Sequence, residues 1–330
     1  MPEWIVASLI FGVAITGCEG NISASGSGDI VIDGSTTVFP VAQAMAEDFK
    51  AEHPEANPSV NKSGTGSGFQ KFSRGEIDIA TASRPIERKE DAELRIKGIA
   101  YIEIPIAYDG VSLVVNPQNS WVDHLSMAEL KRAWSSASTV KLWSDIRTGF
   151  PQSPIVFHGP TDNHGTYEYF TEAVNGKKDD LRADCQKDQD YNPIIQAVAG
   201  DKNAMAYVGF NYYMENQDKV KIVPIDSGNG PITPSESTIA DGKYAPLSRP
   251  LFLYVNKASY DTKPQVQAFV KFALSGKGDA DVRESRYVVL PRELHDAVAK
   301  HVEQELAGTM FARVVPGTRL KDLYTRVQGK

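Results

Sequence analysis

The chain has 330 residues, 41% of them apolar and 23% charged, with 35 Lys and Arg against 42 Asp and Glu for a formal charge of −7. That composition is ordinary for a globular protein and excludes disordered and fibrous classes, and the length accommodates two domains or one large α/β unit. Basic residues are scattered, with no stripe and no aromatic interleaving, which excludes nucleic acid as a partner.

Residues 4–15, WIVASLIFGVAI, form an apolar run too short to span a bilayer. ITGC follows, ending at Cys18, so residues 1–17 read as a signal peptide closed by a lipoprotein box, with the Cys18 thiol as lipid acceptor. The opening MPE carries no Lys or Arg. Residues 18–28 then read as a flexible tether reaching roughly 15–20 Å, enough to hold a folded body off a membrane. The second cysteine, Cys185, lies in the polar run RADCQKDQD and is expected to be a free surface thiol.

From Ile30 onward short β-branched runs alternate with amphipathic ones, the pattern of an α/β architecture. IVID (30–33) predicts a strand, and VFPVAQAMAEDFKAEH (38–53) a helix with Pro40 in its first turn and Pro54 stopping it. Strands follow at 77–83 and 99–108, separated by a charged helix. VSLVVNP (111–117) predicts a further strand leaving this first unit. A second set comprises a helix in SMAELKRAW, a strand in SPIVFHG, helices in GTYEYFTEAVN and NPIIQAVAGD, and strands in AMAYVGF and VKIVPI. Residues 226–250 are rich in turn formers and are expected to run irregularly. RPLFLYVN (249–256) predicts a second crossing strand, and the remainder is helical. Two crossings imply a discontinuous first lobe, residues 29–110 with 250–330, and a second lobe over 111–249.

Three loops share one chemistry. GSTTVFP places Ser35, Thr36 and Thr37 before a helix; NKSGTGSGF places Ser63, Gly64, Thr65 and Gly66 before another; TDNHGTYEYF places His164, Gly165 and Thr166 before a third. Helix starts leave backbone N–H groups without intrahelical partners and carry partial positive charge, which suits an anion. Glycine admits positive φ and close backbone approach, and the hydroxyls complete the shell. TASRP adds Ser83 and Arg84 at a strand end, where a guanidinium fork could pair two oxygens. Charge-assisted hydrogen bonds contribute about 1.5–3 kcal/mol each, so six to eight exceed the roughly 8–10 kcal/mol of micromolar or tighter binding. Each loop alone reads more readily as ordinary helix capping; three together with Arg84 favour the anion.

Other motifs fail on spacing. GTGSGF lacks the Gly-Lys-Ser/Thr of a nucleotide phosphate loop, and a dinucleotide fingerprint wants glycine where Phe69 stands. No Gly-x-Ser-x-Gly elbow surrounds Ser67. The six histidines show no His-x-His or His-x-x-x-His pair, and His295 and His301 read as surface residues of one helix. No metal and no cofactor is expected.

GSTTVFP, SGTGSGF and ASRP resemble the GSSTVFP, SGTGGGF and ASRP of a subgroup of phosphate-binding proteins of phosphate ABC transporters. YDGVSLVVNP, GTYEYFTEAVNGK, GDKNAMAYVGFNYY and SRPLFLYVN extend the resemblance from Ile30 to about Tyr324. It implies a type II periplasmic-binding-protein (venus flytrap) fold, two α/β lobes joined by a two-strand hinge. It also implies an anion between the lobes, held by Ser35, Thr36, Thr37, Ser63, Gly64, Thr65, Gly66, Ser83, Arg84, His164, Gly165 and Thr166. The implied partners are inorganic phosphate, a membrane permease with its ATPase, and a membrane reached through the lipid at Cys18, the protein itself being a monomer outside the cytoplasm. The chain departs from the subgroup's GPGTDSGT with GPTDNHGT, so His164 replaces a serine and Asn163 an aspartate. Better-known members carry aspartate at the Arg84 position, where it accepts the proton of hydrogen phosphate, and arginine at the Pro160 position. Asp162 or a hydroxyl could take over that acceptor role, and protonated His164 would make binding tighten as pH falls. Arsenate and sulfate are the competing anions. A secreted phosphatase using His164 with Thr166 or Ser67, or a non-transporting oxyanion sensor, are the competing functions.

Overall fold

The computed structural model describes Met1 and residues 29–162, 164–311 and 320–326; the rest of the signal segment, the tether with Cys18, and Asn163 lie outside the described residues. Among the described residues, β1 (Asp29–Gly34), β2 (Asn57–Asn61), β3 (Ile79–Ala82), β4 (Tyr101–Val115), β5 (Val156–Pro160), β6 (Gln186–Asp188), β7 (Ala204–Gly209), β8 (Lys221–Val223), β9 (Ser248–Asn256) and β10 (Val288–Val289) form one ten-stranded sheet. Its path runs β2-β1-β3-β9-β4-β7-β5-β6, with β8 and β10 also paired to β4. β1 is parallel to β2 and β3, and β5 to β6 and β7, while β4 and β9 run antiparallel to each other and to their neighbours.

The two strands expected at 99–108 and 111–117 are one, β4, unbroken for 15 residues and buried throughout. Pro105 and Gly110 look like interruptions, yet Pro105 falls where the β4–β9 register shifts, a place that tolerates its missing N–H. Tyr101–Gly110 pairs with β9, and Val111–Val115 pairs with β7, so one strand carries the chain between the two halves of the sheet.

Helices cover this sheet with apolar stripes. α1 (Phe39–Glu52) buries Val41, Ala42, Met45, Ala46 and Phe49, one face at helical spacing, with proline in its first turn. α2 (Thr65–Phe72) sits against the end of β1, where a Cβ on Gly68 would lie 2.7 Å from the Gly34 Cα. Asp33, 2% exposed, ties the intervening loop by accepting the Ser63 N–H at 3.0 Å and the Lys71 ammonium. Burial alone would raise its pKa; these hydrogen bonds hold it below the usual carboxylate range. α3 (Arg88–Ile96) opens with a reciprocal cap between Glu87 and Glu90.

Three expectations are corrected. The helix expected over 165–175 is α4 (Gly165–Phe170) followed by a widened π turn at Thr171–Asn175; the Thr171 hydroxyl donates to the carbonyls of Tyr167 and Glu168, both at 3.0 Å, where the turn changes pitch. Cys185 is free but not on the surface: it is 6% exposed, and burial pushes its thiol up to about 12. His301 is likewise buried, 5% exposed, which brings its imidazole down to about 4.

Glu103 in β4 is fully buried and accepts hydrogen bonds from the Tyr254 hydroxyl (2.9 Å), the Thr309 hydroxyl (2.6 Å) and the Met310 N–H (2.9 Å). The Tyr254 hydroxyl in turn accepts the Ile86 N–H at 2.9 Å, linking the C-terminal segment to the loop after β3. Burial raises the Glu103 carboxyl from 4.5 to about 7 against the pull of those donors. Its folded-state pKa is raised, so its contribution to stability is present below pH 4.5 and is lost as pH rises through about 7. Glu103→Gln is therefore expected to flatten the pH dependence of the urea-unfolding midpoint over that window relative to the parent; an unchanged slope would refute the assignment.

Candidate functional site

Asp109 and Arg249 face each other directly across the antiparallel β4–β9 ladder, in two strands otherwise nearly all apolar. Directly opposed residues bring their side chains together, and here the Arg249 Nε and Nη2 donate to Asp109 Oδ2 at 3.3 and 3.2 Å. The side chains are 11% and 7% exposed. Burial pushes the Asp109 carboxyl above the usual carboxylate range even with the guanidinium beside it. Arg249 also donates from Nη2 to Thr37 Oγ1 (3.0 Å) and to the Gly165 carbonyl (3.1 Å), and its guanidinium lies 4.0 Å over the Tyr169 ring. One buried cation thus joins the loop before α1, the start of α4 and both crossing strands. A Cβ on Gly165 would collide with the Thr37 side chain, so the two loops touch there.

Two cavities flank this seam. The larger, about 600 Å³, is lined by Thr36, Thr37, Asp109, His164, Gly165 and Thr166 among others. The smaller, about 270 Å³, is lined by Thr65, Ser83, Arg84, Tyr169 and Arg249 among others. The structure therefore divides the expected ligand set between two cavities sharing one wall. Thr65 Oγ1 and Ser83 Oγ are 3.4 Å apart, and the Ser83 N–H donates to Thr65 Oγ1 at 3.3 Å.

The remaining four expected residues line neither cavity, and three of them hold the loops in shape. Ser35 is 2% exposed; its N–H donates to the Thr81 carbonyl at 3.0 Å, and its hydroxyl accepts the Val38 N–H at 3.4 Å. Ser63 is exposed and spends its N–H on Asp33. Gly64, at φ +95, donates to the Gly34 carbonyl at 2.7 Å, a backbone conformation that favours glycine. Gly66 is exposed.

Arg84 and His164 are engaged by neighbours within the chain. The Arg84 fork is already filled, because Nη1 and Nη2 each donate to a Glu90 oxygen at 2.8 Å and Glu87 adds a third carboxylate oxygen at 3.3 Å. His164 Nδ1 accepts the Thr166 N–H at 3.2 Å, capping a helix of six residues, and the Tyr191 hydroxyl stands 3.4 Å away. Burial, followed by the nearby Arg249 charge, lowers the His164 pKa, so the ring is a neutral acceptor and not an added cation. Asp162 points to solvent, its side chain 72% exposed with Lys187 at 3.9 Å, away from either cavity wall. The acidic group at the seam is Asp109. Arg249 and Asp109 were missed because Asp109 fell in the gap between the strands expected at 99–108 and 111–117 and Arg249 at the first residue of the one expected at 249–256; the available signal was that YDG and SRP put opposite charges into the two crossing strands.

A family model described as PBP superfamily domain matches residues 19–277. Protein SphX of Synechocystis sp. is 36% identical over 313 residues, covering 94% of this chain and 92% of that protein. The phosphate-binding protein PstS of Staphylococcus aureus is 39% identical over 290 residues, covering 88% and 86%. A crystal structure of a possible phosphate binding protein from Planctomyces limnophilus superposes with a TM-score of 0.78 at 42% identity, covering 86% of this chain and 100% of that one. A phosphate ABC transporter substrate-binding protein from Clostridium perfringens, described as putative and solved with bound phosphate, follows at 0.59 and 27%, covering 80% and 100%. The two groups of strands joined through β4 and β9 are the two α/β lobes and two-strand hinge of the type II periplasmic-binding-protein fold. By family model and by relatives along most of its length, the chain belongs to the PBP superfamily, together with the PstS and SphX proteins.

Proposed function

We propose that the protein is an extracytoplasmic solute-binding protein that captures inorganic phosphate at the seam and delivers it to the permease and ATPase of an ABC-type importer. The lobes of this reading are residues 29–110 with 250–330, and 111–249, and Cys18 carries the lipid that holds a monomer at the outer face of the membrane. The observation that carries the reading is the buried Arg249 guanidinium, which reaches a hydroxyl from one lobe and a carbonyl from the other. A tetrahedral anion there would replace those two neutral acceptors with ionised oxygens, so that donor and acceptor would both be charged. Thr37, Gly165 and Thr166 adjoin from the larger cavity and Thr65 and Ser83 from the smaller. The PstS and SphX relatives and the phosphate-bound Clostridium perfringens structure support the same ligand.

Asp109 supplies selectivity in this reading. A buried carboxylate repels an anion that has no proton to donate, and accepts a hydrogen bond from one that has. Hydrogen phosphate and hydrogen arsenate meet that condition; sulfate at neutral pH does not. A phosphatase is less well supported, because Nδ1 of its only histidine candidate is occupied by the Thr166 N–H. Among the described residues no cluster of three His, Cys, Asp or Glu could hold a metal.

Three outcomes test this. Arg249→Lys, which keeps the charge and loses the fork, should weaken phosphate about tenfold or more by calorimetry. Arg84→Lys should change affinity by less, since Glu90 already fills that fork; the reverse order would return the anion to Arg84. Asp109→Asn should raise sulfate affinity relative to phosphate in the same titrations, and an unaltered ratio would remove Asp109 from selectivity. Because His164 is neutral, the ratio of parent to His164→Asn affinity should stay flat from pH 8 to 6.5. A ratio that climbs as pH falls would restore the imidazolium.

A further inference from the structure

Among the described residues, every hydrogen bond from the Arg249 guanidinium starts at Nε or Nη2, and the only carboxylate atom that receives them is Asp109 Oδ2. The other two acceptors, Thr37 Oγ1 and the Gly165 carbonyl, are the ones that an anion at the seam would replace. Once they are given up, a single oxygen is left to hold the group. A planar cation fastened at one point can still turn about it, and a fork that must lose this freedom on binding loses affinity.

Tyr169 supplies the missing restraint. It stands four residues after Gly165 in α4, so the residue whose carbonyl reaches Arg249 and the residue whose ring reaches it share one helix face. The Arg249 Cζ lies 4.0 Å from the ring centroid, and a flat guanidinium stacks on an aromatic face. The Tyr169 hydroxyl donates to the Pro246 carbonyl, so the polar atom of the side chain is satisfied within the chain and the ring is the part that meets the cation. Burial raises the pKa of this phenol, so the ring stays neutral and leaves the guanidinium charge to a ligand. Tyr169 and Arg249 line the same cavity, the smaller one, together with Thr65 and Ser83. Nη1 meets no acceptor among the described residues, so a plane fixed by Tyr169 also fixes where that arm points.

We propose that Tyr169 is a positioning residue for anion binding: its ring holds the plane of the Arg249 guanidinium while Thr37 and Gly165 release it to the ligand. This rests on the reading that the seam binds phosphate, and the experiment separates the two. Calorimetry titrates inorganic phosphate into the full chain and into Tyr169→Leu, Tyr169→Phe, Arg249→Lys and the double variant of Tyr169→Leu with Arg249→Lys. Holding one rotamer-rich side chain in advance is worth roughly two- to tenfold in Kd, so Tyr169→Leu should weaken phosphate about fivefold, and Tyr169→Phe, which restores the ring, should recover affinity to within about twofold of the parent. A lysine ammonium has no plane to hold, so in the Arg249→Lys background Tyr169→Leu should cost less than about twofold. An equal loss in both backgrounds would overturn the proposal, since a ring that only filled space would serve either cation alike. Phosphate binding that Tyr169→Leu leaves within about twofold of the parent, or that Tyr169→Phe weakens as much as Tyr169→Leu does, would also overturn it and leave the phosphate reading intact. Should Tyr169→Leu not fold, Tyr169→Met, which fills irregular space more adaptably, is read in its place by the same criteria. Absence of phosphate binding in the parent would overturn both.

Discussion

A guanidinium and a carboxylate removed from water between two crossing strands are the constraint around which this molecule is arranged. Such a pair seldom gives more stability than apolar residues of similar size, because desolvating two charges offsets most of their attraction. Its position is therefore better explained by what else Arg249 touches: a threonine hydroxyl from one lobe and a backbone carbonyl from the other. Since Asp109 and Arg249 are register partners in the ladder, their meeting is set by the backbone and needs no flexible loop. Catalytic and binding groups gain precision when carried on rigid elements in this way.

The helix starts play a quieter part than their composition suggests. Ser35, Ser63 and Gly64 spend hydrogen-bonding groups on Val38, Thr81, Asp33 and Gly34, which fixes the loops. His164 does the same for Thr166. Thr36, Thr37, Thr65, Ser83 and Thr166 remain on the cavity walls. Capping and cavity lining are thus divided among neighbouring residues of the same loops, so the two are not rival explanations for a loop as a whole.

Much of this was legible in the sequence, because alternation of β-branched and amphipathic runs reports backbone geometry directly. The strands at 30–33 and 249–256 and the helix at 38–53 fall within two residues of the observed ones. The three loops stood out because the same glycine and hydroxyl pattern recurs before three apolar stripes, where a single one reads as ordinary capping. What escaped was long-range. That β4 continues through Asp109 and Gly110 depends on partners on both sides, more than a hundred residues away in β9 and almost as far in β7. The filling of Arg84 by Glu90 needed the turn between them, and the burial of His301 and Cys185 depended on packing that a polar local context conceals.

Gly165 has a consequence of its own. Where a hydrogen atom faces Thr37, the two loops close to van der Waals distance; any larger substituent would act as a spacer of known thickness between the lobes. The site thus contains a built-in caliper, and graded side chains at this one position would step the separation of the halves without altering any charge.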